Sequence, residues 1–131
     1  MPRSIFVNLP VADLPAARSF FSALGFSFNE QFSDDKAACL VIDENIYAML
    51  ITTPYFQTFT PKAVADATQS SEVLIGLSAA SRDAVDATCN AALAAGGSEV
   101  RPAMDEGWMY QRAFADLDGH IWELIWMEQQ G

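Results

Sequence analysis

The stretch FADLDGHIWELIW, residues 114–126, places a sharp turn between two segments of strand-forming residues. Asp116, Asp118 and Gly119 are residues that favour turns, and the residues that follow are typical of a strand. Glu123 lies within this second, otherwise apolar segment, where a carboxylate is unfavourable unless it has a partner or a function. The stretch therefore predicts a β-hairpin whose second strand carries one acid.

The composition is typical of a single folded domain. The chain has 131 residues, of which 51% are hydrophobic and 18% are charged, and we expect one domain over residues 1–131. No apolar run approaches the roughly 18 residues of a membrane span, and the first residues lack the apolar segment of a signal peptide. We therefore expect a soluble, cytoplasmic protein. Cys39 and Cys89 lack CxxC spacing, which predicts buried, reduced thiols.

The charge of the chain excludes two classes of partner. Seventeen acidic residues against seven basic ones give a formal net charge of -10. A charge of this sign repels phosphate backbones and anionic lipid headgroups. We therefore expect neither nucleic acid nor a membrane surface as a partner.

The first half of the chain has the order βαβββ, and we call residues 4–52 module one. Asp13 fits a helix N-cap and Gly25 follows the last turn of that helix. The alternation of apolar residues predicts strands at residues 5–11, 26–32, 37–42 and 46–52.

The second half repeats this order, and we call residues 72–128 module two. Ser81 is the expected N-cap of a helix over residues 84–95, and strands are predicted at 72–79, 98–101, 109–115 and 120–127. Residues 53–71 are expected to form a bridge, with a short helix from Thr60 and Pro61 to Ala67.

The two halves can be aligned position by position, which places Phe6 over Leu74 and Met49 over Glu123. Alternate residues of a strand share a face, so the aligned positions predict one concave face. Trp122 and Leu124 belong to the opposite face and are expected to pack on the helices. The residues predicted to line the concave face are Phe6, Asn8, Tyr47, Met49, Leu74, Gly76, Ile121 and Glu123.

The sequence resembles the vicinal oxygen chelate superfamily, which contains glyoxalase I, bleomycin-resistance proteins, fosfomycin-resistance enzymes and extradiol dioxygenases. The resemblance covers both halves and rests on three segments: NLPVADL at residues 8–14 leading into RSFF, LGF at 24–26, and DLDGH at 116–120 followed by Glu123 and Leu124. It implies an α+β fold in which two βαβββ modules form a curved mixed sheet around a cavity. It also implies a homodimer.

The resemblance further implies where a metal would be held. Metal-dependent members take one ligand from the first strand and one from the last strand of each module, usually His, Glu or Gln. The matching positions here are Phe6, Met49, Leu74 and Glu123, and three of these side chains cannot coordinate a hard cation. His120, the only histidine, has the opposite strand parity to Glu123. We therefore expect no metal cofactor, with a divalent metal as the alternative.

Glu123 itself has two interpretations. It could be a structural carboxylate that accepts hydrogen bonds from Tyr110, Arg112 or Asn8, because buried acids are usually paired. It could instead be a general base or the anchor of a cationic ligand, because apolar surroundings make a carboxylate bind a proton or a cation more readily. Trp108, on a loop beyond the preceding strand, could stack on a ligand.

Two functions follow from these observations. The first is a glyoxalase/bleomycin-resistance-like protein that binds a small neutral or cationic organic ligand in an apolar cavity without metal. The second is a lactoylglutathione lyase-like lyase or isomerase with Glu123 as general base, or a dioxygenase-like enzyme if metal is supplied. The residues expected to contact the ligand are Phe6, Asn8, Tyr47, Met49, Leu74, Trp108, Tyr110, Arg112 and Glu123.

Overall fold

A computed structural model describes residues 2–129, so the first residue and the last two residues of the predicted domain lie outside the described part. The fold is mixed α+β with two sheets, which confirms the predicted class. The chain divides into two compact units, one ending at Ala65 and the other beginning at Asp66. Within residues 2–129, no helix is long and apolar enough to cross a membrane.

The first unit is a four-stranded sheet with one long helix. Its strands lie in the order β1-β4-β3-β2, with β1 parallel to β4 and the other pairs antiparallel. Asp13 caps the helix as predicted, because its Oδ1 accepts the Ala16 N–H at 3.0 Å. The elements are β1 (Ile5–Val11), α1 (Leu14–Ala23), β2 (Ser27–Asn29), β3 (Ala37–Asp43) and β4 (Ile46–Thr52).

Two predictions made for residues 26–67 are wrong: the end of one strand and the position of one short helix. The strand predicted at 26–32 ends at Asn29, because the Asn29 side chain accepts the Gln31 N–H at 3.0 Å and starts a 3-10 turn, Glu30–Phe32. The helix predicted after Thr60 is absent from the described residues, and helical turns occur earlier as α2 (Thr53–Phe56) and a 3-10 segment, Gln57–Phe59. Pro54 sits in the first turn of α2, where a missing N–H has no cost.

The second unit repeats the arrangement with β5 parallel to β9 in a sheet of order β5-β9-β8-β6. Ser81 caps its helix as predicted by accepting the Ala84 N–H at 3.0 Å. The strand predicted at 98–101 is shorter, and pairing with β8 resumes after Pro102, which cannot donate to a ladder. The elements are β5 (Leu74–Ser78), α3 (Arg82–Ala94), β6 (Ser98–Glu99), β7 (Met104–Asp105), β8 (Met109–Ala115) and β9 (Ile121–Met127).

Each unit has its own core between helix and sheet. In the first unit, Phe20 and Phe21 of α1 are buried and in edge-to-face contact, with ring centroids 5.0 Å apart. In the second unit, α3 packs on β8 and β9, where Trp122 is 1% exposed. This confirms that Trp122 and Leu124 face the helix. Both cysteines are buried and unpaired, as predicted, and burial raises the pKa of each thiol.

The Asp116 carboxylate holds the turn between β8 and β9. Its Oδ1 accepts the N–H groups of Asp118 and His120, and its Oδ2 accepts the Trp122 indole N–H, each at 3.0 Å. The carboxylate is 7% exposed, and burial raises its pKa. Gly119 adopts φ +90°, which the turn requires. This turn fixes the register of the hairpin, in which Ala113 pairs with Glu123.

Candidate functional site

Glu123 lies in the middle of β9 between two of the smallest residues of the sheet. Gly76 of β5 and Ala113 of β8 are its register partners, and residues paired across strands project to the same face. The Glu123 side chain is 15% exposed, and its Oε1 lies 3.6 Å from the position that a Cβ on Gly76 would take. The carboxylate therefore has small residues beside it on both neighbouring strands.

Apolar residues flank this row along β9. Ile121, in register with Leu74 and Ala115, lies on one side, and Ile125, in register with Gln111, lies on the other. We call this side of the sheet, opposite α3, the Glu123 face. The residues of this face that the argument uses are Gly76, Gln111, Ala113, Ile121, Glu123 and Ile125.

Arg101 is the partner of Glu123. Its Nη2 donates to Glu123 Oε2 at 2.7 Å, and its side chain is 33% exposed. The preceding residue, Val100, donates its N–H to the Ala113 carbonyl at 3.4 Å, so the chain passes directly beside the Glu123 row. The prediction that Tyr110 or Arg112 would hold Glu123 is wrong, because both side chains bond to Asp86 instead, and a hydrogen bond from Asn8 stays a prediction. The sequence carried one signal that could have found Arg101. The Asp116 turn fixes the pairing of β8 with β9, and extending that pairing from β8 to residues 98–101 brings Arg101 beside Glu123.

Tyr110 and Arg112 lie on the α3 side of the sheet, because their register partners are Trp126 and Leu124. The Tyr110 hydroxyl donates to Asp86 of α3 at 2.6 Å, and Arg112 Nη1 donates to the same Oδ1 at 3.0 Å. The Tyr110 hydrogen bond, followed by that of Arg112, lowers the pKa of Asp86, and the contact with Asp86 raises the pKa of Tyr110. These two side chains connect β8 to α3.

The loop that carries Trp108 is held by Arg82. The guanidinium donates to both oxygens of Asp105, at 2.9 and 2.6 Å, and to the Gly107 carbonyl at 3.2 Å. The Arg82 hydrogen bond is the main reason that the pKa of Asp105 falls to about 2. Trp108 is 55% exposed, and its carbonyl accepts the Glu128 N–H at 2.7 Å. Stacking of Trp108 on a ligand stays a prediction.

In the first unit, the predicted residues of β1 and β4 share one face, as their parity indicates. Phe6 is in register with Tyr47, and Asn8 with Met49. The Phe6 and Tyr47 rings stack with centroids 4.9 Å apart and an angle of 11°. Asn8 Nδ2 donates to the Phe6 carbonyl at 3.4 Å. A common cavity formed by this face and the Glu123 face stays a prediction.

The donor set does not fit the divalent metal that the resemblance suggests. The observed registers support the equivalence of Phe6 with Leu74 and of Met49 with Glu123, and only Glu123 among these four offers an oxygen. One of its two oxygens is engaged by Arg101. Among residues 2–129, no three His, Cys, Asp or Glu side chains are grouped so that they could hold a metal ion. A hard divalent cation needs more oxygen or nitrogen ligands than this.

The fold defines a protein of two βαβββ modules, each with its first and last strands paired in parallel. A family model described as bleomycin resistance protein-like N-terminal matches residues 3–43. The chain is 30% identical to a hypothetical protein of S. aureus of known structure, covering 95% of this chain and 94% of that one, with a TM-score of 0.80. No curated protein matches the sequence.

Two further solved structures share the fold. A glyoxalase/bleomycin resistance protein/dioxygenase family enzyme from Burkholderia phytofirmans is 16% identical, with 93% and 96% of the two chains covered and a TM-score of 0.78. A fosfomycin resistance protein from Listeria monocytogenes is 18% identical, with 96% and 93% covered and a TM-score of 0.68. The family-model match and the shared fold support the resemblance to the vicinal oxygen chelate superfamily that was seen in the sequence.

Proposed function

We propose that the chain binds a small neutral or cationic organic molecule on the Glu123 face without a metal ion. The observation that carries this proposal is the position of the Glu123 carboxylate, which is 15% exposed, lies between Gly76 and Ala113, and is paired with Arg101. A few polar groups within an apolar surface are typical of small-molecule sites, because the apolar surface supplies binding energy and the polar groups fix the orientation of the ligand.

The chemistry of the pair supports the charge of the proposed ligand. Glu123 accepts hydrogen bonds and Arg101 donates them. A neutral amide can therefore bond to both, with its N–H donating to Glu123 and its carbonyl accepting from Arg101. A cationic ligand can replace Arg101 at the carboxylate. The net charge of -10 disfavours anions. Gln111, two register positions from Glu123 along β8, adds a neutral donor and acceptor.

The same pair supports a second candidate, a lyase or isomerase of the glyoxalase type. Glu123 would take a proton from the carbon beside a carbonyl, and the electron pair of that C–H bond would move into an enolate. The Arg101 guanidinium, 2.7 Å from the carboxylate, would stabilise the enolate oxygen in place of a metal. Turnover of the hemithioacetal of methylglyoxal and glutathione, lost in Glu123→Gln, would support it, whereas equal turnover in that variant excludes it.

We also propose a homodimer. The edge strands β1 and β5 expose large apolar residues, with Ile5 at 56%, Phe6 at 52% and Leu74 at 53% exposure. Exposed apolar side chains at sheet edges suit an interface with a second copy. Light scattering after size exclusion is expected to give twice the 14.3 kDa chain mass, and a monomer at all concentrations would contradict this part of the proposal.

Binding is tested with three compounds that share a ring and differ in charge: benzamide, benzylamine and benzoate. Backbone amide spectra of the labelled protein are recorded during titration with each. We expect benzamide and benzylamine to shift Gly76, Gln111 and Glu123. Shifts from benzoate alone would contradict the proposed charge preference, and shifts confined to other residues would contradict the proposed site.

A further inference from the structure

A groove of about 640 Å³ in the second unit adjoins the Glu123 face. Ala115 and Ile121, which are register partners on that face, line the groove at one end. The loop of residues 67–71 and the residues Ser98, Glu99 and Val100 line it elsewhere. This loop belongs to the segment that the sequence predicted to be only a bridge.

We propose that this groove is a second subsite that binds a neutral, hydroxyl- or amide-rich part of the ligand. The proposal rests on the proposed function, since it extends the same ligand beyond Glu123. The proposed subsite narrows the ligand class to amphipathic molecules. One end would be an apolar group that carries a hydrogen-bonding substituent, and the other end would be an uncharged polar extension.

The groove lies next to the Glu123 site along the sheet. Ile121 precedes Glu123 by two positions on β9, a distance of roughly 7 Å along a strand. On the neighbouring segment, Val100 lines the groove and is followed directly by Arg101, the partner of Glu123. A ligand that binds Arg101 and Glu123 with one group therefore reaches the groove if it continues by one ring and one or two further bonds.

The side chains that line the groove determine its chemistry. Thr68, Gln69, Ser70, Ser71 and Ser98 supply hydroxyl and amide groups, which donate and accept hydrogen bonds. The charged residues of the lining are Glu99 and Asp116, and its described members include no Lys or Arg. The charged side chains that a phosphate or sulfate would meet in this lining are both carboxylates, so an uncharged polar group is the better match.

The wall formed by residues 67–71 is held in place before any ligand binds. Asp66 Oδ1 accepts the Thr68 N–H at 3.0 Å and the Thr68 hydroxyl at 2.7 Å. The loop also packs closely on the β8–β9 turn, because a Cβ on Gly119 would lie 2.7 Å from the Ala67 carbonyl oxygen. A preformed wall loses little conformational entropy on binding, which favours affinity.

The test compares benzamide with its β-glucoside relative, 4-carbamoylphenyl β-D-glucopyranoside, in the intact chain. The two compounds share the amide head, and only the glucoside carries the polyhydroxylated extension. Ser70→Trp fills the groove without changing charge. Ala87→Trp, on the exposed side of α3, adds the same ring away from the groove and serves as the control.

We expect the glucoside to bind the unmodified chain and Ala87→Trp equally, to shift the amides of Ser70 and Ser98, and to bind Ser70→Trp at least tenfold more weakly. Benzamide should bind all three proteins within twofold. Equal binding of the glucoside to Ser70→Trp would overturn the groove proposal and leave the Glu123 site intact. Absence of benzamide shifts at Gly76 and Glu123 would overturn the proposed function instead.

Discussion

Arg101 Nη2 lies 2.7 Å from Glu123 Oε2, and this contact joins the segment after β6 to the middle of β9. Two residues that are 22 positions apart thereby form the polar centre of an apolar sheet face. In the proposed site the pair offers a carboxylate and a guanidinium to one ligand, and each side chain can be altered separately. Their opposite charges predict opposite effects on a charged ligand.

Removal of the guanidinium is expected to favour cations. In Arg101→Ala, the carboxylate loses its partner, so benzylamine should bind about fivefold more tightly, or about 1 kcal/mol. Arg101→Lys, which keeps the charge, should stay within twofold of the unmodified chain. Calorimetric titration measures both. Weaker binding of benzylamine by Arg101→Ala would contradict the proposal that Arg101 and a cationic ligand compete for Glu123.

Tyr110→Phe is expected to affect stability and not binding. The variant loses the hydroxyl that donates to Asp86 at 2.6 Å, which should lower the free energy of unfolding by about 1 kcal/mol. Benzamide affinity should stay within twofold, because Tyr110 lies on the α3 side of the sheet. Tyr55→Phe, which keeps its ring contact with Phe59, is the control. A large loss of benzamide binding in Tyr110→Phe would contradict the assigned face.

Two glycine variants separate backbone strain from steric contact. Gly119→Ala places a Cβ at φ +90° and 2.7 Å from the Ala67 carbonyl oxygen, so we expect a loss of about 3 kcal/mol in urea unfolding. Gly107 has φ +82° with no heavy atom within 4 Å of its Cβ position, so Gly107→Ala should lose only about 1 kcal/mol. Equal losses in the two variants would show that the loop at residue 67 does not pack on the turn.

Asp105 is expected to contribute to acid sensitivity. Its pKa is lowered to about 2 by the Arg82 hydrogen bond and the Gly107 N–H, so its contribution is present above pH 4 and is lost as the pH falls through 2. Asp105→Asn should therefore lose less stability than the unmodified chain between pH 5 and pH 2 in urea titrations. Asp35→Asn removes an exposed acid elsewhere and serves as the control. An unchanged loss in Asp105→Asn contradicts the Arg82 pairing.

The sequence predicted the fold well because its signals are local. The caps Asp13 and Ser81 and the strands β1, β4 and β8 lie where they were expected. The alignment of the two halves is supported by the registers, in which Phe6 pairs with Tyr47 just as Leu74 pairs with Ile121. Because the two halves repeat the same order of elements, the pattern of each half supports the prediction made for the other.

The candidate site was predicted less well because it depends on contacts between strands. Tyr110 and Arg112 alternate along β8 in a way that fits either face, and only the hairpin register assigns them to α3. Arg101 was missed because it lies outside any regular strand, between the end of β6 and Pro102, which interrupts pairing with β8. The helix expected after Thr60 failed because turn-forming hydrogen bonds to Asp66 organise residues 66–70 instead.

The most direct test of a metal-independent ligand site at Glu123 is the affinity of benzylamine for the unmodified chain and for Glu123→Gln, each measured before and after dialysis against EDTA. We predict that Glu123→Gln binds at least about tenfold more weakly, and that EDTA changes neither affinity by more than twofold. Equal binding by Glu123→Gln, or loss of binding after EDTA that returns with a divalent metal, would contradict the account.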